Sequence, residues 1–222
     1  MKTCLLNTIG FLITFLMLFG QARAEQFLLQ DQHGVPIKNA VLEFSISSTP
    51  PSGAASPNTL IMDQVNKRFK PDVLVIHQGD FVSFPNSDNI RHHVYSFSQV
   101  KPFELKLYSG KPKAPLQFEN AGVSVLGCNI HDAMVGYIYI ASSTQVLMTN
   151  EHGMATLDNS IKFDHVSVWH SNLSSALTSP KQISYENLVK NANNATLFII
   201  NVDLNSPEPP NTFQSIFKNN GQ

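Results

Sequence analysis

Cys128, His131 and Met134 stand three residues apart in Gly127-Cys128-Asn129-Ile130-His131-Asp132-Ala133-Met134, between two apolar stretches. A thiolate, an imidazole and a thioether so close together form a soft donor set. That chemistry suits copper, and a His2Cys set with a weak, distant Met is the pattern of electron-transfer copper sites. Zinc could take the thiolate and imidazoles, but a structural zinc site uses four strong ligands and a thioether is not one of them. The loop lacks one imidazole. The adjacent pair His92-His93, well upstream and followed by an aromatic-rich stretch, can supply it. Neighbouring strand residues face opposite ways, so only one of the two can reach a metal. Alternation by itself does not choose between them, since it is His93 that shares a face with Tyr95 and Phe97. The remaining histidines, His33, His77, His152, His165 and His170, converge with no nucleophile or carboxylate pair, so hydrolytic chemistry has no support.

Short apolar runs at close spacing, with 13 Pro and 11 Gly, point to a mainly β chain. Strands are predicted at 27–29, 40–46, 73–76, 81–84, 94–97, 104–108, 116–119, 123–126 and 135–141. The loop bearing Cys128 would join the last two. Further on, 146–149 and 154–157 read as a hairpin across Asn150-Glu151-His152-Gly153, and 166–169 and 197–202 as two more strands. Residues 47–58, rich in Pro and Ser, read as a linker, and 204–222 as a loose tail.

The first 24 residues read as a secretory leader: Lys2, an apolar stretch from Leu5 to Phe19, and a small-x-small cleavage site at Ala22-Arg23-Ala24. Cleavage would remove Cys4 and leave Cys128 as an unpaired thiol in an oxidising, periplasmic setting. There it is buried, reactive or metal-bound. Net charge is −1, and removing Lys2 and Arg23 leaves a small acidic excess. This balance gives no reason to expect a nucleic-acid or anionic-membrane partner.

Two elements in order carry a resemblance. Val82-Ser83-Phe84-Pro85-Asn86, then His92 and Val94, together with Cys128-x2-His131-x2-Met134, resemble the cupredoxin family of blue-copper β-barrels, plastocyanin and amicyanin among them. The likeness is greatest to exported methylamine-utilisation or plastocyanin-like proteins. In the family's pattern the spacing from Asn86 and the following Val94 favour His92, and His93, which stands where most of the family has asparagine, is then a brace or spare ligand, with Asn86 as a supporting residue. Outside this region, Phe27 to Ile46, Thr149 to Leu157 and Val168-Trp169 are similar to carboxypeptidase-regulatory-like (CNA-B-type) modules. The expected fold is therefore all-β: a cupredoxin-like Greek-key barrel or sandwich at 60–142, inserted in an Ig-like sandwich built from 25–49 and 143–203.

The resemblance implies one type 1 copper, held by His92, Cys128, His131 and Met134, in a monomeric periplasmic protein that is not an enzyme. It would relay single electrons through the His131 edge to a soluble redox protein such as a c-type cytochrome or a periplasmic dehydrogenase. Two alternatives are copper handling without redox turnover, which the surplus His93 favours, and a structural two-module protein with a vestigial site.

Overall fold

The structure is a computed structural model that describes residues 24–46, 56–112, 114–173 and 180–205. The leader, apart from Ala24, most of the 47–58 linker and residues 206–222 of the tail lie outside them. In chain order the strands are β1 (Ala24–Gln30), β2 (Val41–Ile46), β3 (Thr59–Ile61), β4 (Asp63–Val65), β5 (Arg68–Lys70), β6 (Val73–His77), β7 (Phe81–Ser83), β8 (His92–Ser96) and β9 (Phe103–Tyr108). They continue as β10 (Leu116–Gln117), β11 (Gly122–Cys128), β12 (Val135–Ala141), β13 (Val146–Met148), β14 (Met154–Asp158), β15 (Phe163–Trp169), β16 (Lys181–Ser184), β17 (Val189–Asn191) and β18 (Asn194–Asn201). A single 3-10 turn, Tyr185–Asn187, is the only helical element among the described residues. The chain is all-β, as its composition predicts.

Two sheets draw only on the outer segments, in the orders β14-β1-β18-β17 and β13-β2-β15-β16. Alternation along each strand sends one set of side chains inward. Phe27 and Leu29 of β1, Phe44 of β2, Val166 and Val168 of β15, and Phe198 and Ile200 of β18 form the core between them. Its centre is aromatic: the Phe27 ring lies 5.1 Å from Phe44 and 5.3 Å from Phe198.

The middle segment supplies a sheet ordered β6-β12-β11-β8-β9, a second ordered β10-β7-β3, and the β4–β5 hairpin. Met62, Phe69, Val82, Phe84, Val94, Phe118, Ile138 and Ile140 fill the space between, with Cys128 and Met134 at one end of the same core. Strand β12 reads Val-Gly-Tyr-Ile-Tyr-Ile-Ala with no polar alternation because both of its faces are covered. Ile138 and Ile140 face the inner core, while Tyr139 and Ala141 pack with Val41, Val73 and Trp169 against the outer sheets. A continuous apolar run is what a strand buried on both sides requires. At the same junction Glu43 accepts hydrogen bonds from the Tyr139 hydroxyl (2.7 Å) and from the Ser142 and Ser143 amides (2.8 and 2.7 Å). Burial first, and the Glu43 charge second, push the Tyr139 phenol well above its ordinary pKa, so it stays a donor.

Several sequence expectations are corrected. Val146 to Thr149 and Met154 to Leu157 are not a paired hairpin: β13 joins β2 and β14 joins β1, in opposite sheets. The Asn150–Gly153 turn forms, with the Asn150 amide donating to the Met154 carbonyl at 2.9 Å, but the strands then diverge to cover two faces of one core. Strands β3, β4, β5, β16 and β17 add to the expected set; all are short, and all but β3 are mostly polar. The start of the tail is tied down, since Leu204 bridges to Leu173 and its amide donates to Gln32 Oε1 at 3.0 Å.

Gly153 carries a prediction of its own. It has φ +70°, and a Cβ there would lie 2.6 Å from the Leu29 carbonyl oxygen. Left-handed strain and overpacking against backbone add, so Gly153→Ala should cost about 2–5 kcal/mol. Urea denaturation would check it, with a lowered midpoint and an unchanged slope expected.

Candidate metal centre

The loop that carries three of the candidates closes because its backbone folds back on itself. The His131 amide donates to the Cys128 carbonyl at 3.3 Å, and the Met134 amide to the His131 carbonyl at 2.8 Å. Cys128 ends β11, which pairs with both β8 and β12, and Met134 immediately precedes β12. Register then sets the fourth candidate. Cys128 stands opposite Val94 on β8, so the inward face of β8 carries His92, Val94 and Ser96.

Three donors meet there. His92 Nδ1 lies 3.6 Å from Cys128 Sγ, and His131 Nδ1 3.8 Å from it. All three donor atoms fall within 4.8 Å of one another. A metal about 2.3 Å from a thiolate sulfur and about 2.0 Å from an imidazole nitrogen, at about 120°, would separate sulfur from nitrogen by about 3.7 Å. Both sulfur–nitrogen separations therefore suit a trigonal ion. Cys128 and His92 are fully enclosed, at 1% and 0% exposure, whereas His131 is partly open. A Cys–His pair can also be a nucleophile with its base, but a sulfur this enclosed has no path to a substrate. Met134 is buried in the same apolar cluster as Cys128.

His93 is not part of this group. Its ring faces outward with Tyr95 (centroids 5.8 Å apart), and Nε2 lies 2.9 Å from Glu104 Oε1 without hydrogen-bond alignment. Its main chain still serves the site, because the Asn129 amide donates to the His93 carbonyl at 3.3 Å. The aromatic face of β8 is thus the outer one. Val94 and Ser96 occupy the inner face, where the Ser96 and Ser124 hydroxyls pair at 3.0 Å.

Asn86 is buried and braces the loop ahead of β8. Its Nδ2 donates to the Ile90 and Tyr108 carbonyls at 2.8 and 2.9 Å, and its Oδ1 accepts the Asp88 amide at 3.0 Å. Asp88, absent from the sequence candidates, touches the site directly: His92 Nε2 lies 2.8 Å from Asp88 Oδ2. The same carboxylate accepts the Asn66 amide at 2.6 Å and the Lys67 amide at 2.9 Å. The available signal was an acidic residue four before the histidine, an ambiguous one in a loop of Asn, Ser and Asp. Burial opposes the charge of Asp88, but the Lys67 amide, the His92 ring and the Asn66 amide hold its carboxyl below the usual range. Burial, then His92 and Lys67, push His131 below the ordinary histidine pKa against the pull of Asp88. A neutral His131 ring keeps a lone pair for a metal at neutral pH.

No protein-family model and no curated protein matches the chain. Among solved structures, a Cu-containing nitrite reductase from Thermus scotoductus SA-01 is 22% identical, with a TM-score of 0.37, over 51% of this chain and 28% of its own length. The chain therefore spans little more than a quarter of that protein. A purple cupredoxin from Nitrosopumilus maritimus is 21% identical, with a TM-score of 0.33, over 38% of this chain and 99% of its own. An oxidised point mutant of amicyanin is 19% identical, with a TM-score of 0.33, over 46% of this chain and 98% of its own. These are partial likenesses, to two cupredoxins and a copper enzyme.

Proposed function

We propose that the chain is an exported type 1 copper protein that relays single electrons between periplasmic redox partners. One observation carries the reading: two imidazole nitrogens at 3.6 and 3.8 Å from an enclosed thiol sulfur, a spacing that suits a trigonal copper. Copper bound there would supply a one-electron couple. The residues do the rest. Cys128 would give the thiolate link, His92 and His131 would complete the plane, and Met134 would be the weak axial donor. The enclosure of Cys128 and His92 keeps bulk water from the sulfur, and strands β8, β11 and β12 hold the donors in place through any change of charge. His131, the partly open donor, would be the edge through which an electron leaves. Its partner would be a soluble redox protein, such as a c-type cytochrome or a periplasmic dehydrogenase.

We infer further that residues 60–142 form a copper-binding unit inserted in an Ig-like sandwich of 25–49 and 143–203. The partition of strands between sheets supports this. Copper handling without turnover would draw on a spare imidazole at the site, yet the His93 ring is turned to Glu104. Visible absorption and EPR of the copper-loaded protein test the relay. An intense thiolate-to-copper band with reversible reduction is expected. A colourless protein that exchanges copper freely would replace relay by handling, and absence of stoichiometric copper would leave a vestigial site.

Met134→Leu separates an axial donor from a core side chain. The swap conserves volume, so the fold and the visible band should persist while the reduction potential rises. Cyclic voltammetry reads this directly, and an unchanged potential would remove Met134 from the ligand set.

A further inference from the structure

We propose that Asp88 is a positioning residue that selects the tautomer of His92, and that the Asn66–Lys67 turn holds Asp88 in place for that task. The inference rests on the metal-site reading only for its consequence on copper. A neutral imidazole has one N–H to place on one of two nitrogens. In His92 these face opposite groups: Nε2 meets Asp88 Oδ2 at 2.8 Å, and Nδ1 meets Cys128 Sγ at 3.6 Å. An ionised carboxylate can only accept hydrogen bonds, so the proton belongs on Nε2 and the lone pair of Nδ1 faces the sulfur. The other tautomer would set a ring lone pair against a carboxylate oxygen around a side chain with 0% exposure, where an unpaired polar group is costly. Carboxylate partners of this kind fix ring orientation and raise the basicity of ligating histidines.

Asp88 is itself held from the far side. Its Oδ1 accepts the Asn66 amide at 2.6 Å and its Oδ2 the Lys67 amide at 2.9 Å, while its own amide donates to Asn86 Oδ1. Asn66 and Lys67 are the two loop residues of the β4–β5 hairpin, with Val65 paired to Arg68. Both adopt positive φ, 54° and 58°. Tight hairpins demand that geometry, but the second loop position is normally glycine. The turn conformation, rather than the lysine side chain, aims the two amides at Asp88. The hairpin is anchored in turn at its other end. The Phe69 side chain occupies the space a Cβ on Gly136 would need, within 2.7 Å, two residues past Met134. Hairpin, Asp88 and His92 therefore form one hydrogen-bonded chain ending at the donor group.

Long-range 15N–1H correlation of the histidine rings in the metal-free protein tests this, with Cu(I) affinity measured by chelator competition. The wild type should show His92 protonated on Nε2. Asp88→Ala should shift the proton to Nδ1 or mix the tautomers and weaken copper binding about 10–100-fold. Asp88→Asn covers the case in which the alanine variant fails to fold. Its amide can keep His92 Nε2–H bonded but cannot also serve Asn66, so the Asn66 amide should lose exchange protection and affinity should fall less. Lys67→Gly keeps the N–H, suits the positive φ and removes the ammonium, so it should leave tautomer and affinity within about twofold. Wild-type protonation on Nδ1, or an unchanged tautomer in Asp88→Ala, overturns the role of Asp88. Retained Asn66 protection in Asp88→Asn, or a Lys67→Gly effect equal to that of Asp88→Ala, overturns the role of the turn. The tautomer is read without metal, so a wild type that binds no copper would sink the relay and leave this result standing.

Discussion

Cys128→Ser is expected to abolish the intense visible absorption of the copper-loaded protein, leaving at most a pale, weakly held ion. The argument is chemical. The band requires a thiolate in short, covalent contact with the metal, and a hydroxyl at neutral pH is neither ionised nor soft. The substitution changes little else. Serine is close to isosteric, and His92 Nδ1, 3.6 Å from the sulfur, offers the new hydroxyl a partner in an otherwise apolar end of the core. The metal-free fold should therefore shift by about 1 kcal/mol. Circular dichroism and thermal melting of the metal-free variant supply the control. Colour lost with the fold intact is the expected pair of results, and survival of the intense band would defeat the assignment of Cys128 as a ligand.

The largest effect on stability is expected at Trp169. Its ring is fully enclosed, with centroids 5.5 Å from Tyr137 and 5.8 Å from Tyr139, at the seam where β15 of the outer sheets meets β12 of the inner one. Trp169→Ala removes the largest buried side chain and leaves a cavity between two sheets that cannot collapse without breaking other pairings. The cost should be about 3–5 kcal/mol, a fall of roughly 6–20 °C in melting temperature for a protein of this size. Differential scanning calorimetry would show it. The candidate donors lie on β8, at the end of β11 and in the loop before β12, away from Trp169, so copper-loaded spectra should keep their shape at low temperature. A loss of under about 1 kcal/mol would mean that the two sets of sheets hardly support one another.

Strand positions were legible where burial leaves a mark on the sequence. Strand β12 is apolar throughout because it is covered on both faces, and β1, β2 and β15 read clearly from their inward Phe and Val. The short strands β4, β5, β16 and β17 were not legible. Their side chains are mostly polar, and they exist through backbone pairing with neighbours that no local pattern announces. The supposed hairpin at 146–157 failed for the same reason: its turn residues are correct for a turn, but which strand pairs with which is a choice of the whole core.

The candidate site divides along a similar line. Cys128, His131 and Met134 share one loop, so their types and spacing alone define the donor chemistry. The sequence also narrows the remaining imidazole to two adjacent residues. The resemblance favours His92, but strand alternation alone does not choose, because a one-residue change of register reverses every side chain of a strand. The pairing of Cys128 with Val94 settles which face turns inward, and His92 is on it. The meeting of Asp88 with the Asn66–Lys67 turn belongs to the tertiary structure. Asp88 stands four residues before His92, an ambiguous local signal, but the two backbone amides that hold it come from a separate segment and reach it only after folding.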